Sequence, residues 1–182
     1  MDIIETQRLR LEEWNRKDAE DLFEYARNPN VGPAAGWKPH ESIRESKQII
    51  KKVFIPAGVW KITYKENGKA VGTISFSEDK RRPDINCKEL GYSINEDYWG
   101  MGLMSEAVDA VIEYGFDVMK LEMMSITTGP DNMGSRRIIE KMGFVYEGTL
   151  RHSYKIYDNS IRDLRCYSLF KSEWLKAQSE HL

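Results

Sequence analysis

Residues 98–107 read Tyr-Trp-Gly-Met-Gly-Leu-Met-Ser-Glu-Ala and join two different periodicities. Before them, Lys88-Glu89-Leu90-Gly91-Tyr92-Ser93-Ile94 alternates like a strand, and after them comes a strongly amphipathic helical pattern. A strand, a short glycine turn and a helix leave several backbone N–H groups at a helix N-terminus with little side-chain cover. The first four N–H groups of a helix have no intrahelical partner, and the helix dipole adds partial positive charge there. Such an end suits a phosphate or pyrophosphate. A P-loop would need Gly-Lys-Ser/Thr, which is absent, and a dinucleotide fingerprint would need a third glycine where Ser105 stands. Glycine pairs also occur in ordinary turns, so a strand-to-helix turn with no ligand is the alternative.

A second segment carries the same kind of chemistry. After Met123-Met124-Ser125-Ile126-Thr127-Thr128, which reads as a strand, comes Asp131-Asn132-Met133-Gly134-Ser135, with Gly143-Phe144 further on. Asn132 suits an N-cap, and Gly143 suits the left-handed residue after a helix end. A strand is expected to resume at Phe144-Val145-Tyr146-Glu147-Gly148.

Together the two segments resemble the GNAT superfamily of acetyl-CoA-dependent acyltransferases. That family's pyrophosphate loop reads Gln/Arg-x-x-Gly-x-Gly/Ala, and Trp99, Gly100, Met101, Gly102, Leu103 and Met104 stand in its place, followed by Ser105. Its second block reads Asn-x-x-Ser/Ala followed by Gly-Phe, which Asn132, Ser135, Gly143 and Phe144 match. The opening Glu5-Thr6-Gln7-Arg8-Leu9-Arg10-Leu11 and the run from Asp163 to Trp174 are similar to the branch that acetylates ribosomal-protein N-termini. Trp99 departs from Gln/Arg, and Met104 makes the loop bulkier than usual. Many members use a tyrosine seven residues after the asparagine as general acid. Ile139 stands there and cannot donate a proton, so the resemblance points to Ser135 instead.

Acetyl transfer to an amine needs a neutral amine, a stabilised carbonyl oxygen and a protonated leaving thiolate. An α-amino group has a pKa of about 8, so a modest base acting through water suffices. Glu89 is the candidate base, on the strand before the loop; its alternative is a solvated strand-edge carboxylate. Backbone N–H groups between Tyr92 and Ile94 are candidates for stabilising the carbonyl oxygen. A thiol pKa near 8.5 means the leaving group needs little acid help, so Ser135 is a plausible donor whose loss is survivable. Ser135 alternatively only bonds to Asn132 in the first helical turn. In the family the loop after the first helix forms a wall of the acceptor groove. Trp37 and His40 are therefore candidate acceptor-binding residues, with His152 and Tyr154 reaching from a late hairpin. Core anchoring is the equal alternative for Trp37.

The elements that must position these groups follow from the remaining pattern. Residues 3–14 read as one strand, with Leu9 and Leu11 on one side. Asn15 and Asp18 form an approximate capping box for a helix to about Arg27. A Gly/Pro-rich loop spans 31–39, and a helix spans roughly 41–54 with Ile43, Ile49, Ile50 and Val53 inward. Asn67-Gly68 marks a hairpin between strands at 59–64 and 71–76. A charged loop over 79–86 leads to the Glu89 strand. Late strands at 154–157 and 164–169 turn at Asp158-Asn159, and a short helix closes the chain. The expected fold is one α/β domain over residues 1–182, a twisted, mixed, mostly antiparallel sheet with helices on both faces. The N–G hairpin implies antiparallel pairing early, and two strand-helix-strand units imply parallel pairing later.

The 182 residues bury a good core, and the formal net charge of −2 offers no basic excess for nucleic acid. No apolar run suits a membrane helix, the opening residues show no signal pattern, and a cytoplasmic location is expected. Cys87 and Cys166 are isolated, and His40, His152 and His181 are scattered, so neither a disulfide framework nor a metal site is expected. The expected partners are acetyl-CoA and a primary-amine acceptor, with no membrane or nucleic acid, in a monomer or homodimer. Three functions stay open: an N-terminal protein acetyltransferase, a small-amine acetyltransferase for an antibiotic, polyamine or amino acid, and a non-catalytic acyl-CoA sensor.

Overall fold

The computed structural model describes residues 1–180 of the chain, so His181 lies outside the described residues. Eight strands form a single sheet: β1 (Ile4–Glu5), β2 (Leu9–Glu13), β3 (Trp60–Tyr64), β4 (Ala70–Glu78), β5 (Cys87–Ile94), β6 (Met123–Thr128), β7 (Val145–Lys155) and β8 (Ile161–Phe170). Their order is β1-β2-β3-β4-β5-β6-β8-β7. Only β5 and β6 pair in parallel; every other neighbouring pair is antiparallel.

Local chemistry sets the turns. The stretch expected as one strand over 3–14 breaks at Thr6, whose N–H donates to the Leu9 carbonyl at 3.0 Å. The Thr6 hydroxyl in turn accepts the Leu9 N–H at 2.9 Å, so a two-residue turn folds β1 back on β2. At the N–G hairpin the Asn67 side chain accepts the Lys69 N–H at 3.0 Å, and Gly68 takes a positive φ of 72°. The second strand-helix-strand unit departs from expectation. β8 inserts between β6 and β7, so those two run in the same direction without pairing. Burial explains the order: β8 supplies the buried run Cys166–Leu169, while β7 is exposed almost throughout and takes the edge.

The helices are α1 (Ala19–Ala26), the single turn α2 (Gly32–Ala35), α3 (Ile43–Ile49), the three-residue α4 (Ile55–Ala57), α5 (Leu103–Asp117), α6 (Met133–Lys141) and α7 (Lys171–Glu180). The Asn15–Asp18 capping box forms as the sequence suggests, at a 3₁₀ turn that leads into α1. A π-helical stretch, Ile50–Phe54, links α3 and α4. Its wider turn rotates the face that continues from α3. From Ile43 to Ala57 only Ser46 and Ile50 are buried, whereas Ile43 and Val53, expected inward, are exposed. No helix among the described residues is long and apolar enough to cross a membrane.

Two buried clusters lie on the two faces of the sheet. Leu103, Ala107, Val108, Val111, Ile112 and Phe116 of α5 pack on Leu9, Leu11, Ile62, Ile74, Leu90 and Met124. Burying that many aliphatic side chains is the main favourable term in holding α5 down. On the other face, α1 packs its Leu22, Tyr25 and Ala26 with Trp14, Ile50, Val59 and Ala70. The sheet is therefore clamped between helices, which fixes β5 at its centre.

Close strand approach beside the site depends on one missing side chain. A Cβ on Gly72 would fall well inside contact distance of the Ser93 carbonyl oxygen on β5. Gly72→Ala must push β4 from β5, and overpacking of this kind costs about 1–3 kcal/mol. A lowered denaturation midpoint with an unchanged denaturant slope is expected; an unaltered midpoint would show that the strands can relax freely there.

Candidate active site

β5 and β6 pair over only three rungs: Cys87↔Met123, Lys88↔Met124 and Glu89↔Ser125. Beyond them β5 stays with β4 as far as Ile94, and β6 stays with β8 as far as Thr128. The two halves of the sheet therefore separate past Glu89, and a cavity of about 1210 Å³ opens between them. Its wall includes Tyr92, Ser93 and Ile94 on β5, the first turns of α5 and α6, and the α2 turn.

The glycine loop enters this cavity. Gly100 and Gly102 have φ values of 75° and 76°, a region costly for other residues, and Gly102 is the N-cap of α5. No side chain caps that end, so the first N–H groups of α5 border the cavity without side-chain cover. The Trp99 indole donates to the Ile94 carbonyl at 3.1 Å, fastening the loop to the end of β5. Met104, expected to enlarge the loop, is buried in the α5 core cluster.

An anchor invisible to local reading holds the loop from below. Glu106, in the first turn of α5, accepts from the Thr6 hydroxyl at 2.6 Å and from the Arg8 N–H and Arg8 Nε at 2.7 Å each. Arg8 Nη1 also donates to the Met101 carbonyl at 2.9 Å. One arginine thus ties the β1–β2 turn to both sides of the glycine turn.

At α6, the Asn132 side chain accepts the Ser135 N–H at 3.0 Å, which fixes the helix start. The Ser135 hydroxyl lies 3.1 Å from the Tyr92 hydroxyl, joining α6 to β5 across the cavity. Burial pushes the Tyr92 phenol up to about 12, against the opposing hydrogen bond from Ser135, so it stays neutral near pH 7. Ile139, at the position where a tyrosine acts in many GNAT enzymes, is buried in the core.

Glu89 occupies the last paired rung and does not border the cavity. Thr127 Oγ1 donates to its Oε1 at 2.7 Å, and Arg81 approaches Oε2 at 3.0 Å. Arg81 in turn sits against the buried Asp79 at 3.2 Å, so Glu89 belongs to a chain of ions that begins in the charged loop.

The acceptor candidates fall beside the cavity rather than on it. Trp37 packs on His40 with ring centroids 5.5 Å apart. The His40 Nδ1 lies 2.8 Å from the Ser46 hydroxyl, and burial holds its pKa below the usual histidine value despite the nearby Glu45. Tyr154 packs against Gly36, which has a φ of 90°. The loop and the late hairpin therefore touch, with no groove between them at that point. His152 is exposed at a φ of 53°. The same two elements do border the cavity, through Val31, Pro33, Ala34 and Ala35 on one and Arg162 and Asp163 on the other. Arg162 Nη1 donates to the Pro33 carbonyl at 2.8 Å and straps them together. On the loop side, Asn28 and Asn30 bond to Glu96 just ahead of the glycine turn.

The sequence and the fold both match known proteins. The family model described as an acetyltransferase (GNAT) domain matches residues 8–145. An uncharacterized N-acetyltransferase of Bacillus subtilis, YoaA, is 32% identical over 177 residues, covering 93% of this chain and 97% of YoaA. An uncharacterized N-acetyltransferase of Bacillus licheniformis, p20, is 27% identical and covers 96% and 99% of the two chains. A GNAT-family acetyltransferase structure from Bacillus anthracis superimposes with a TM-score of 0.84 at 26% identity, over 94% of this chain and 100% of that one. The chain belongs to the GNAT acetyltransferase family and is an N-acetyltransferase, in a family that uses acetyl-CoA.

The Glu106 anchor has a definite pH signature. Burial raises its pKa, but the Thr6 and Arg8 hydrogen bonds outweigh that and hold it below the usual carboxylate value. A carboxylate depressed in the folded state contributes stability above its unfolded pKa of about 4.3 and loses it as pH falls through the folded value. Glu106→Gln should cost about 1.5–3 kcal/mol at pH 7, the range for hydrogen bonds to a charged group. The gap from the parent protein should close below about pH 4. Melting curves at several pH values read this directly; a gap independent of pH would mean the charge contributes nothing.

Proposed function

We propose that this N-acetyltransferase moves the acetyl group of acetyl-CoA onto a primary amine by direct attack in a ternary complex, and that the amine is a protein N-terminus of the ribosomal-protein type. The observation that carries the reading is the single cavity bordered at once by the unpaired end of β5, the uncapped start of α5 and the Tyr92–Ser135 hydroxyl pair. Trp99 to Ser105 hold the pyrophosphate through backbone N–H groups, where Gly100 and Gly102 keep side chains away. Asn132 fixes the start of α6 so that Ser135 faces the same space. The thioester supplies an activated acetyl group, and backbone N–H groups between Tyr92 and Ile94 stabilise its carbonyl oxygen as charge develops.

Glu89 accepts the amine's proton through a chain of water molecules, since it lies below the cavity and Thr127 and Arg81 already hold its two oxygens. Ser135, backed by the neutral Tyr92 phenol, donates to the departing thiolate. A thiol with a pKa near 8.5 needs only a hydrogen bond there.

The N-terminal acceptor is supported by a relative named as a putative ribosomal N-acetyltransferase, YdaF of Bacillus subtilis. It is 36% identical over 110 residues, 59% of this chain and 57% of that protein. A polyamine is the second reading, because spermidine N(1)-acetyltransferase of Escherichia coli is 25% identical over 160 residues, 85% of this chain and 83% of that one. The cavity wall weighs against a polycation. Its charged side chains are Asp131 and Asp163 against Arg137 and Arg162, which gives no acidic excess.

Initial-rate kinetics with acetyl-CoA and a panel of N-terminal peptides and small amines test the proposal. Intersecting reciprocal plots and turnover of free N-termini are expected. Glu89→Gln should lower kcat/KM by about 10²–10⁴-fold at pH 7 and far less near pH 9, where an α-amino group is already neutral. Ser135→Ala should cost less. Parallel plots, or inert peptides beside reactive small amines, would contradict the mechanism or the acceptor respectively.

A further inference from the structure

The far wall of the cavity carries a carboxylate to which the sequence motifs assign no role. β8 runs past the end of β6, whose last paired residue, Thr128, faces Arg165. Glu89, Ser125 and Ser168 share one rung across β5, β6 and β8. Counting outward from that rung along diverging strands, Ile94 on β5 and Asp163 on β8 stand at the same height on opposite walls, and both border the cavity. Asp163 therefore borders the same cavity as the part of β5 where, on the reading above, the amine meets the acetyl group, whereas Glu89 lies below at the vertex. The other wall carboxylate, Asp131, is in the exposed turn that leads into α6.

The local backbone is shaped around this side chain. The β7–β8 register jumps between Leu150 and Tyr154, and within the bulge His152 takes a φ of 53°. A non-glycine residue there is strained and persists only where its surroundings hold it. The holding contact is the His152 N–H, which donates to Asp163 Oδ1 at 2.8 Å. That bond orients the carboxylate, and Oδ2 makes no hydrogen bond among the described residues. Its neighbour Arg162 points to the Pro33 carbonyl and makes no ion pair with Asp163 among the described residues.

We propose that Asp163 is the acceptor-docking carboxylate: it pairs with the ammonium form of the incoming primary amine at the mouth of the wedge, before the proton leaves toward Glu89. The inference rests on the reading of the protein as an amine acetyltransferase and adds the residue that makes it select a cationic nitrogen. Charge-assisted hydrogen bonds are about twice as strong as neutral ones, so the contact discriminates a free amine from its uncharged acetylated product.

Asp163→Asn tests this with little disturbance, because the amide keeps an oxygen for the His152 N–H. The expected result is a rise of about 10- to 100-fold in KM for the acceptor, with kcat, CoA affinity and melting temperature close to those of the parent. A second measurement needs no variant. With CoA present, the parent protein should bind a peptide with a free N-terminus at least tenfold more tightly than its N-acetylated form. A folded variant with unchanged acceptor KM would overturn the docking role, as would equal binding of the two peptides by the parent. A variant that loses melting temperature and CoA affinity together would show that Asp163 only supports the bulge. A parent protein that turns over no amine at all would instead overturn the functional reading beneath the proposal.

Discussion

Two parallel strands that pair for three rungs and then separate leave one side of β5 without a ladder partner, and every part of the site depends on that separation. β5 keeps β4 on its other side up to Ile94, so it stays straight and rigid while its open side faces the cavity. Unpaired backbone groups away from water are costly, and a strand edge inside a sheet persists only where something else occupies it. The Trp99 indole satisfies the Ile94 carbonyl. The Tyr92–Ser135 hydroxyl pair bridges to α6 nearer the vertex of the wedge.

The wedge is held open by contacts on both faces of the sheet. On one, α5 is packed so fully against the central strands that its N-terminus cannot shift without disturbing the core. Arg8 and Glu106 then lock the turn before it, joining residues 98 positions apart in the chain. On the other, α1 and the Asn28–Asn30–Glu96 contacts brace the loop that forms the near wall. Arg162 closes the roof by strapping the late hairpin to the α2 turn. The charged groups divide by depth: Glu89 is held at the vertex by Arg81 and Thr127, and Asp163 stands at the mouth.

What was legible in the sequence is what depends on neighbours within a few residues. The Asn67-Gly68 hairpin, the Asn132 cap and the glycine turn before α5 each close through hydrogen bonds or φ values set inside a four-residue window. The parallel β5–β6 pair followed from the strand-helix-strand order alone. The insertion of β8 between β6 and β7 did not, because hairpin order is decided by which strand has more apolar surface to bury. The partners of Glu89 and Glu106 lie in other elements and leave no periodic trace. Trp37 and His40 have the residue types of a binding loop, yet their rings pack together and the small residues Pro33, Ala34 and Ala35 meet the cavity instead. Asp163 stands one residue before the strand expected at 164–169, and its hydrogen bond to the His152 bulge spans two strands and leaves no local trace.

Amide hydrogen exchange on the protein with and without CoA tests the wedge most directly. Ligand seated between β5 and the helix starts should slow exchange at residues 92–94, 100–105 and 133–136, and leave α3 and β1 unchanged. Protection spread evenly over the chain, or concentrated on the α1–α3 face, would contradict the placement of the site between the diverging strands.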